Sequence, residues 1–152
     1  MAVRLQREPF DAGAEAARLT QGREEVGAVV TFTGLCRRGA DSGAPLTALT
    51  LECYPEMAEQ ELARIEAEAR ARWPLADALV IHRHGRIRPG EPIVFVATLS
   101  AHRAAAFEAA QFLMDYLKTS APFWKQEETE EGTSWVAAKA VDDDAARRWD
   151  EG

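Results

Sequence analysis

The sequence predicts an α+β protein, a mixed or antiparallel sheet packed with helices, and three observations carry that expectation. Runs rich in β-branched and aromatic residues, such as Val29-Val30-Thr31-Phe32-Thr33 and Ile93-Val94-Phe95-Val96-Ala97-Thr98-Leu99, read as buried strands. Two other segments repeat apolar residues at helical spacing. Hairpin-like turns outnumber long crossovers, which disfavours a doubly wound parallel sheet.

Taken in order, the first strand read is Gly27–Thr33, ended by Gly34. The stretch 38–45 combines Arg, Gly, Asp, Ser and Pro and reads as a mobile surface loop. Leu49, Leu51 and Cys53 alternate with Thr50, Glu52 and Tyr54, the period of a half-buried strand. Pro55 suits the first turn of a helix with the stripe Ala58, Leu62, Ile65, Ala69 and Trp73, blocked by Pro74. Its carboxylates Glu59, Glu61, Glu66 and Glu68 read as solvated surface charge. Leu79-Val80-Ile81 forms a further strand, Pro89-Gly90 turns the chain, and the run 93–99 feeds a helix. Ser100 is read as the N-cap of that helix, whose stripe is Ala106, Ala110, Leu113 and Leu117, ending near Thr119. Two strands, Phe123–Glu127 and Trp135–Ala140, flank a loop holding Gly132, and Asp142-Asp143-Asp144 caps a short last helix near Trp149. The 152 residues read as one domain, without repeats or linkers.

A net charge of −7 excludes a broad phosphate-backbone binder, so nucleic acid is not an expected partner. Any anion must be met by a local pocket. Cys36 and Cys53 have no metal-type spacing and point to a reducing compartment. Residues 1–7 contain no apolar run suited to a signal peptide or membrane span, so the expected location is cytoplasmic and no membrane contact is expected.

Three lysines, Lys118, Lys125 and Lys139, stand against fifteen arginines, all three in the last quarter of the chain. An amine can serve as acid, base or nucleophile where a guanidinium cannot. Lys118 falls on a helix's last turn and Lys125 seven residues on, beyond Pro122; brought together near Arg37, two amines would perturb each other's proton affinity. Ser100-Ala101-His102-Arg103 places an imidazole and a guanidinium on a helix's first turn, a candidate phosphate seat. Cys36 reads as a small buried hydrophobe rather than a thiolate, and His82 and His84 as structural histidines; no metal site is expected.

These stretches together resemble the catalytic (large) subunit family of molybdopterin synthase. The resemblance is carried by Gly27–Gly34 with Arg37, Leu49-Thr50-Leu51-Glu52 with Tyr54-Pro55, Arg72-Trp73-Pro74-Leu75, Ile81-His82-Arg83, Ser100-Ala101-His102-Arg103, Met114–Thr119 and Ala121-Pro122-Phe123-Trp124-Lys125. It implies a hammerhead-like α/β core plus a small antiparallel β subdomain. It also implies a homodimer within a heterotetramer, each copy docking a small ubiquitin-like sulfur carrier with a C-terminal Gly-Gly thiocarboxylate. The implied reaction moves sulfur to cyclic pyranopterin monophosphate, with no resident cofactor, to form the dithiolene of molybdopterin.

By position, the resemblance implies Lys118 and Lys125 as catalytic amines and Arg37, His102 and Arg103 as holders of the substrate's anionic and pterin groups. Leu35, Cys36, Gln126 and Glu127 would line the site, Phe32 and Met114 would wall the carrier's tail, and Lys139 would reach a neighbouring copy's site. Cys53 stands where the family often has histidine, Gln126 where arginine is frequent and Lys139 where arginine occurs. The competing class is a non-catalytic module that docks a ubiquitin-like tail or an anionic metabolite, separated from the first by whether it needs Lys118 and Lys125. A phosphatase-like hydrolase ranks last, lacking a metal cluster or an activated serine.

Overall fold

The computed structural model describes residues 2–39, 43–119, 122–136 and 149. Its elements are β1 (Ala2–Gln6), α1 (Ala12–Thr20), β2 (Ala28–Leu35), β3 (Leu46–Glu52), α2 (Pro55–Arg72), β4 (Leu75–Arg83), β5 (Gly85–Ile87), β6 (Pro92–Ser100), α3 (Arg103–Thr119), β7 (Trp124–Thr129) and β8 (Gly132–Val136). They form two four-stranded sheets, ordered β1-β4-β6-β2 and β5-β3-β7-β8. The pairing of β1 with β4 is parallel and every other is antiparallel, so the expected α+β class holds.

Strand alternation divides the first sheet's residues between two cores. Val80, Val94 and Val96 face α2 and α3 and pack with Leu62, Ile65, Ala69, Phe112, Leu113 and Leu117. The residues between them, Leu79, Ile81, Phe95, Ala97 and Leu99, face the other way under Phe10, Ala12, Ala16, Leu19 and Val26. Burying Phe112 and Leu113 completely contributes roughly 1.5–3 kcal/mol each. Trp149 closes the helix layer with edge-on contacts to Trp73 and Phe112, and its indole N–H donates to Asp115 Oδ2 at 2.6 Å.

A third, smaller core belongs to the second sheet: Cys36, Leu46, Leu49, Leu51 and Ile87, flanked by Ile93 and Phe123. Ile93, at the start of β6, packs on this cluster and on the helix core alike, so the two sheets meet there. At the start of β2 the backbone runs against the β6–α3 connection. Gly27 N–H donates to Ser100 O at 3.0 Å, and a Cβ on Gly27 would lie 2.2 Å from Ala101 O. No side chain fits there.

Several sequence expectations need correction. Ser100 is not a helix cap: it ends β6, and its hydroxyl donates to Pro74 O at 2.9 Å. Gly132 opens β8 instead of sitting in the loop, and its φ of 124° suits a residue without Cβ. Elements β1, α1 and β5 were not anticipated. The helix expected after Asp142 and the residue Lys139 lie outside the described residues, as do positions 40–42 of the 38–45 loop, where Gly39 bridges Pro45. Among the described residues no helix is long and apolar enough to cross a membrane.

Glu66 is the largest departure. It is 1% exposed beneath α2 rather than on its solvated face, and its Oε2 has no hydrogen-bond partner. Burial pushes its carboxyl up to about 7, against the opposing pull of the Arg70 guanidinium 3.9 Å away. The unfolded chain ionises this group near 4.5 while the folded chain holds the proton until about 7. The ionisation penalty of Glu66 is therefore absent below pH 4.5, and stability falls as pH rises through that window, by about 3 kcal/mol in full. Glu66→Gln is expected to raise the thermal midpoint at pH 8 and to lose that advantage by pH 5. An offset of equal size at both pH values in paired melts would refute the assignment.

Candidate active site

The site is built where the chain leaves β2. At Gly34–Leu35 the pairing with β6 shifts register, and the backbone of Cys36 is then clamped on the Pro89-Gly90 turn. Cys36 N–H donates to Glu91 O at 2.8 Å and Gly90 N–H donates to Cys36 O at 2.6 Å. With the Cys36 side chain held in the small core, its neighbours Leu35 and Arg37 are left exposed at the rim of a cleft. Gly34 lines the same cleft, and a Cβ there would meet Val94 Cγ1 at 2.7 Å.

The second wall is β7. Its register opposite β3 pairs Lys125 with Leu51 and Glu127 with Leu49, so both face the cleft with those leucines. Period-two alternation turns Trp124 and Gln126 to the opposite face. The third wall is the last two turns of α3, which contribute Met114, Leu117 and Lys118.

The cleft has two connected lobes that share Leu35, Leu49, Ile93, Lys118 and Lys125. The larger, of about 210 Å³, is mostly apolar and includes Phe32, Phe123 and His82. The smaller, of about 140 Å³, adds Cys36, Arg37 and Glu127. Three cations from three separate elements thus converge on one opening in a protein of net charge −7. Such a rim suits a small anion, while the apolar lobe suits an uncharged chain.

Of the residues expected from sequence, the cleft brings together Phe32, Leu35, Cys36, Arg37, Met114, Lys118, Lys125 and Glu127. Gln126 is turned away from it. His102 and Arg103 are also absent from it: they are exposed at the start of α3, and the 15 residues from Arg103 to Lys118 span about 22 Å of helix. They form no part of this chain's own cleft.

Sequence reasoning missed His82 as a cleft residue. Its ring stacks on Phe123 with centroids 4.0 Å apart and planes 12° apart, and its Nδ1 lies 2.8 Å from Arg83 O. Burial pushes this imidazole down to about 4; the Arg83 hydrogen bond opposes that shift and the charge of Lys118 adds to it. The ring is neutral at physiological pH. Its parity with Val80 on β4, which faces the helices, was the available signal.

Cys36 is 3% exposed and its thiol is pushed up by burial, with Lys125 only partly opposing. That is the reverse of an activated thiolate. Among the described residues no group of three or more His, Cys, Asp or Glu is placed to hold a metal ion.

Comparison with known proteins adds a family. A family model described as MoaE protein matches residues 5–120. The molybdopterin synthase catalytic subunit of Mesorhizobium japonicum is 62% identical over 149 residues, covering 97% of this chain and 92% of that protein. The solved structure of the molybdopterin biosynthesis MoaE protein from Burkholderia ambifaria superposes with a TM-score of 0.82 at 45% identity, covering 99% of both chains. The molybdopterin synthase structure from Staphylococcus aureus gives 0.79 at 33% identity, over 88% of this chain and 96% of that one.

The buried thiol yields a direct check. In the native protein at pH 7.5, Cys36 is expected to react with iodoacetamide at least tenfold more slowly than in the urea-unfolded chain, followed by peptide mass spectrometry. Equal rates in the two states would mean that the folded thiol is as open and as readily ionised as in the unfolded chain.

Proposed function

This chain belongs to the MoaE protein family, and from that premise we propose that it works as the catalytic subunit of a molybdopterin synthase. It moves sulfur from the thiocarboxylated C-terminus of a small ubiquitin-like subunit to cyclic pyranopterin monophosphate. The observation that carries the proposal is the convergence of Arg37, Lys118 and Lys125 on a cleft whose larger lobe is mostly apolar.

The two lobes suit two reactants. A Gly-Gly tail has no side chains to obstruct a narrow apolar lobe walled by Phe32 and Met114. A phosphorylated pterin is drawn to the cationic rim. The carrier's sulfur adds to a side-chain carbon of the pterin, and the cyclic phosphate opens with its departing oxygen taking a proton from a lysine ammonium. Water then cleaves the acyl–sulfur bond, which leaves the sulfur on the pterin and the carrier as a carboxylate; a second thiocarboxylated carrier delivers the dithiolene's other sulfur at the neighbouring carbon, whose oxygen leaves as water. Lys118 and Lys125 are the amines placed to hold the charges that develop in these steps, and Arg37 holds phosphate. The sulfur comes from the carrier, so the inert Cys36 needs no reactivity.

His102 and Arg103 take part only in a dimer. Their distance along α3 from Lys118 fits a role in which each copy lends this pair to its partner's cleft.

Lys118→Ala is expected to leave carrier affinity within about threefold and to lower product formation by at least a hundredfold, read by mass detection of the dithiolene product from thiocarboxylated carrier and cyclic substrate. Wild-type turnover in that variant would overturn the assignment. Mixing Lys118→Ala with His102→Ala chains, each poorly active alone, is expected to restore activity in heterodimers that retain one intact site. Absence of complementation after verified subunit exchange would contradict the shared site.

A further inference from the structure

We propose that His82 is a binding residue for the carrier's tail, its Nε2 accepting a hydrogen bond from a backbone N–H of the segment that enters the apolar lobe. The inference rests on the sulfur-transfer reading for the identity of that tail and adds a recognition contact to it.

A peptide without side chains still carries an N–H at every residue, and entry into an apolar lobe strips the water from each. A Gly-Gly segment brings no side-chain acceptor of its own, so a wall must supply one. The side chains lining the lobe are Phe, Leu, Ile and Val with Met114, Lys118, Lys125 and His82. Lysine ammonium groups only donate, and a thioether is a weak acceptor. Among the described residues His82 is the one lining side chain with a nitrogen or oxygen lone pair to offer.

Its geometry prepares it for that use. Arg83 O can only accept, so the 2.8 Å contact requires the proton to sit on Nδ1, which leaves Nε2 with a bare lone pair. Nε2 makes no hydrogen bond to any described residue and is not among the buried atoms lacking a partner. The ring cannot turn to spend it elsewhere. Phe123 clamps one face, and the Arg83 backbone is steadied by its own side chain, whose Nε donates to Arg7 O and Nη1 to Pro92 O, each at 2.9 Å. Burial keeps the imidazole neutral, so Nε2 stays an acceptor where an imidazolium would offer a second donor to the incoming N–H.

Semisynthetic carriers in which each of the last two backbone N–H groups is replaced singly by an ester oxygen test the contact by titration calorimetry. One ester carrier is expected to bind the wild-type protein about fivefold more weakly than the all-amide carrier, the worth of one net hydrogen bond. His82→Phe keeps a ring against Phe123 and removes Nε2; it is expected to bind amide and ester carriers equally, at the weaker affinity. His82→Gln, whose Oε1 restores an acceptor, is expected to regain most of the loss and the preference for amide. Should the Phe variant fail to fold, His82→Leu supplies the same comparison. Equal wild-type affinity for all carriers, or an ester penalty that persists without Nε2, overturns the role of His82 and leaves the sulfur-transfer reading standing. Failure of the wild-type protein to bind the all-amide carrier overturns both.

Discussion

The register between β3 and β7 is the constraint on which the site depends. Leu51 opposite Lys125 and Leu49 opposite Glu127 put an amine and a carboxylate on the cleft face of β7 and leave Trp124 and Gln126 on the other. A slip of one residue would exchange those faces and replace the amine with an indole or an amide. The apolar side of that ladder guards against the slip: Leu46, Leu49 and Leu51 are buried with Ile87 and Cys36, and a shift would expose them. Lys118 reaches the same cleft from a different element. Its place follows from the helical stripe that seats Leu113 and Leu117 on the first sheet.

The polar groups that shape the site are divided by burial. Arg37 and Lys118 are exposed at the rim, where charge is cheap to keep and ready for an anion. Deeper in, His82 is held neutral and Cys36 is held as a thiol, both by loss of water. The concentration of cations at one opening of an acidic chain gives a local attraction that net charge alone would not predict. Glu66, far from this cleft on the underside of α2, shows the same burial effect with a cost to stability and no assigned use in the reaction.

What the sequence made legible was what local pattern determines. The stripe Ala58-Leu62-Ile65-Ala69 and the run Ile93–Leu99 were readable because each buries one face or both by simple periodicity. Strand β1 was not readable, since Ala2–Gln6 is short and becomes a strand only by pairing in parallel with Leu79–Arg83, far along the chain. Helix α1 does carry a local signal: Asp11 caps it through its carboxylate, which accepts from Ala14 N–H at 3.0 Å. Glu66 stands four residues after Leu62 and three before Ala69, so the stripe itself placed a carboxylate on the buried face. The convergence of Arg37, Lys118 and Lys125 was expected from family resemblance, because no local pattern brings a loop, a helix end and a strand to one point. The separation of His102 and Arg103 from Lys118 follows from helix length alone, and a distance count along α3 would have exposed it.

A thiocarboxylate tail seated in this cleft between two amines would be visible in the structure of the complex with a thiocarboxylated small subunit. The terminal carbon of the tail is expected within contact of both Lys118 Nζ and Lys125 Nζ, with the glycines against Phe32 and Met114. A tail seated instead in the groove of Glu52, Tyr54, Trp124 and Trp135, on the opposite face of β7, would contradict it.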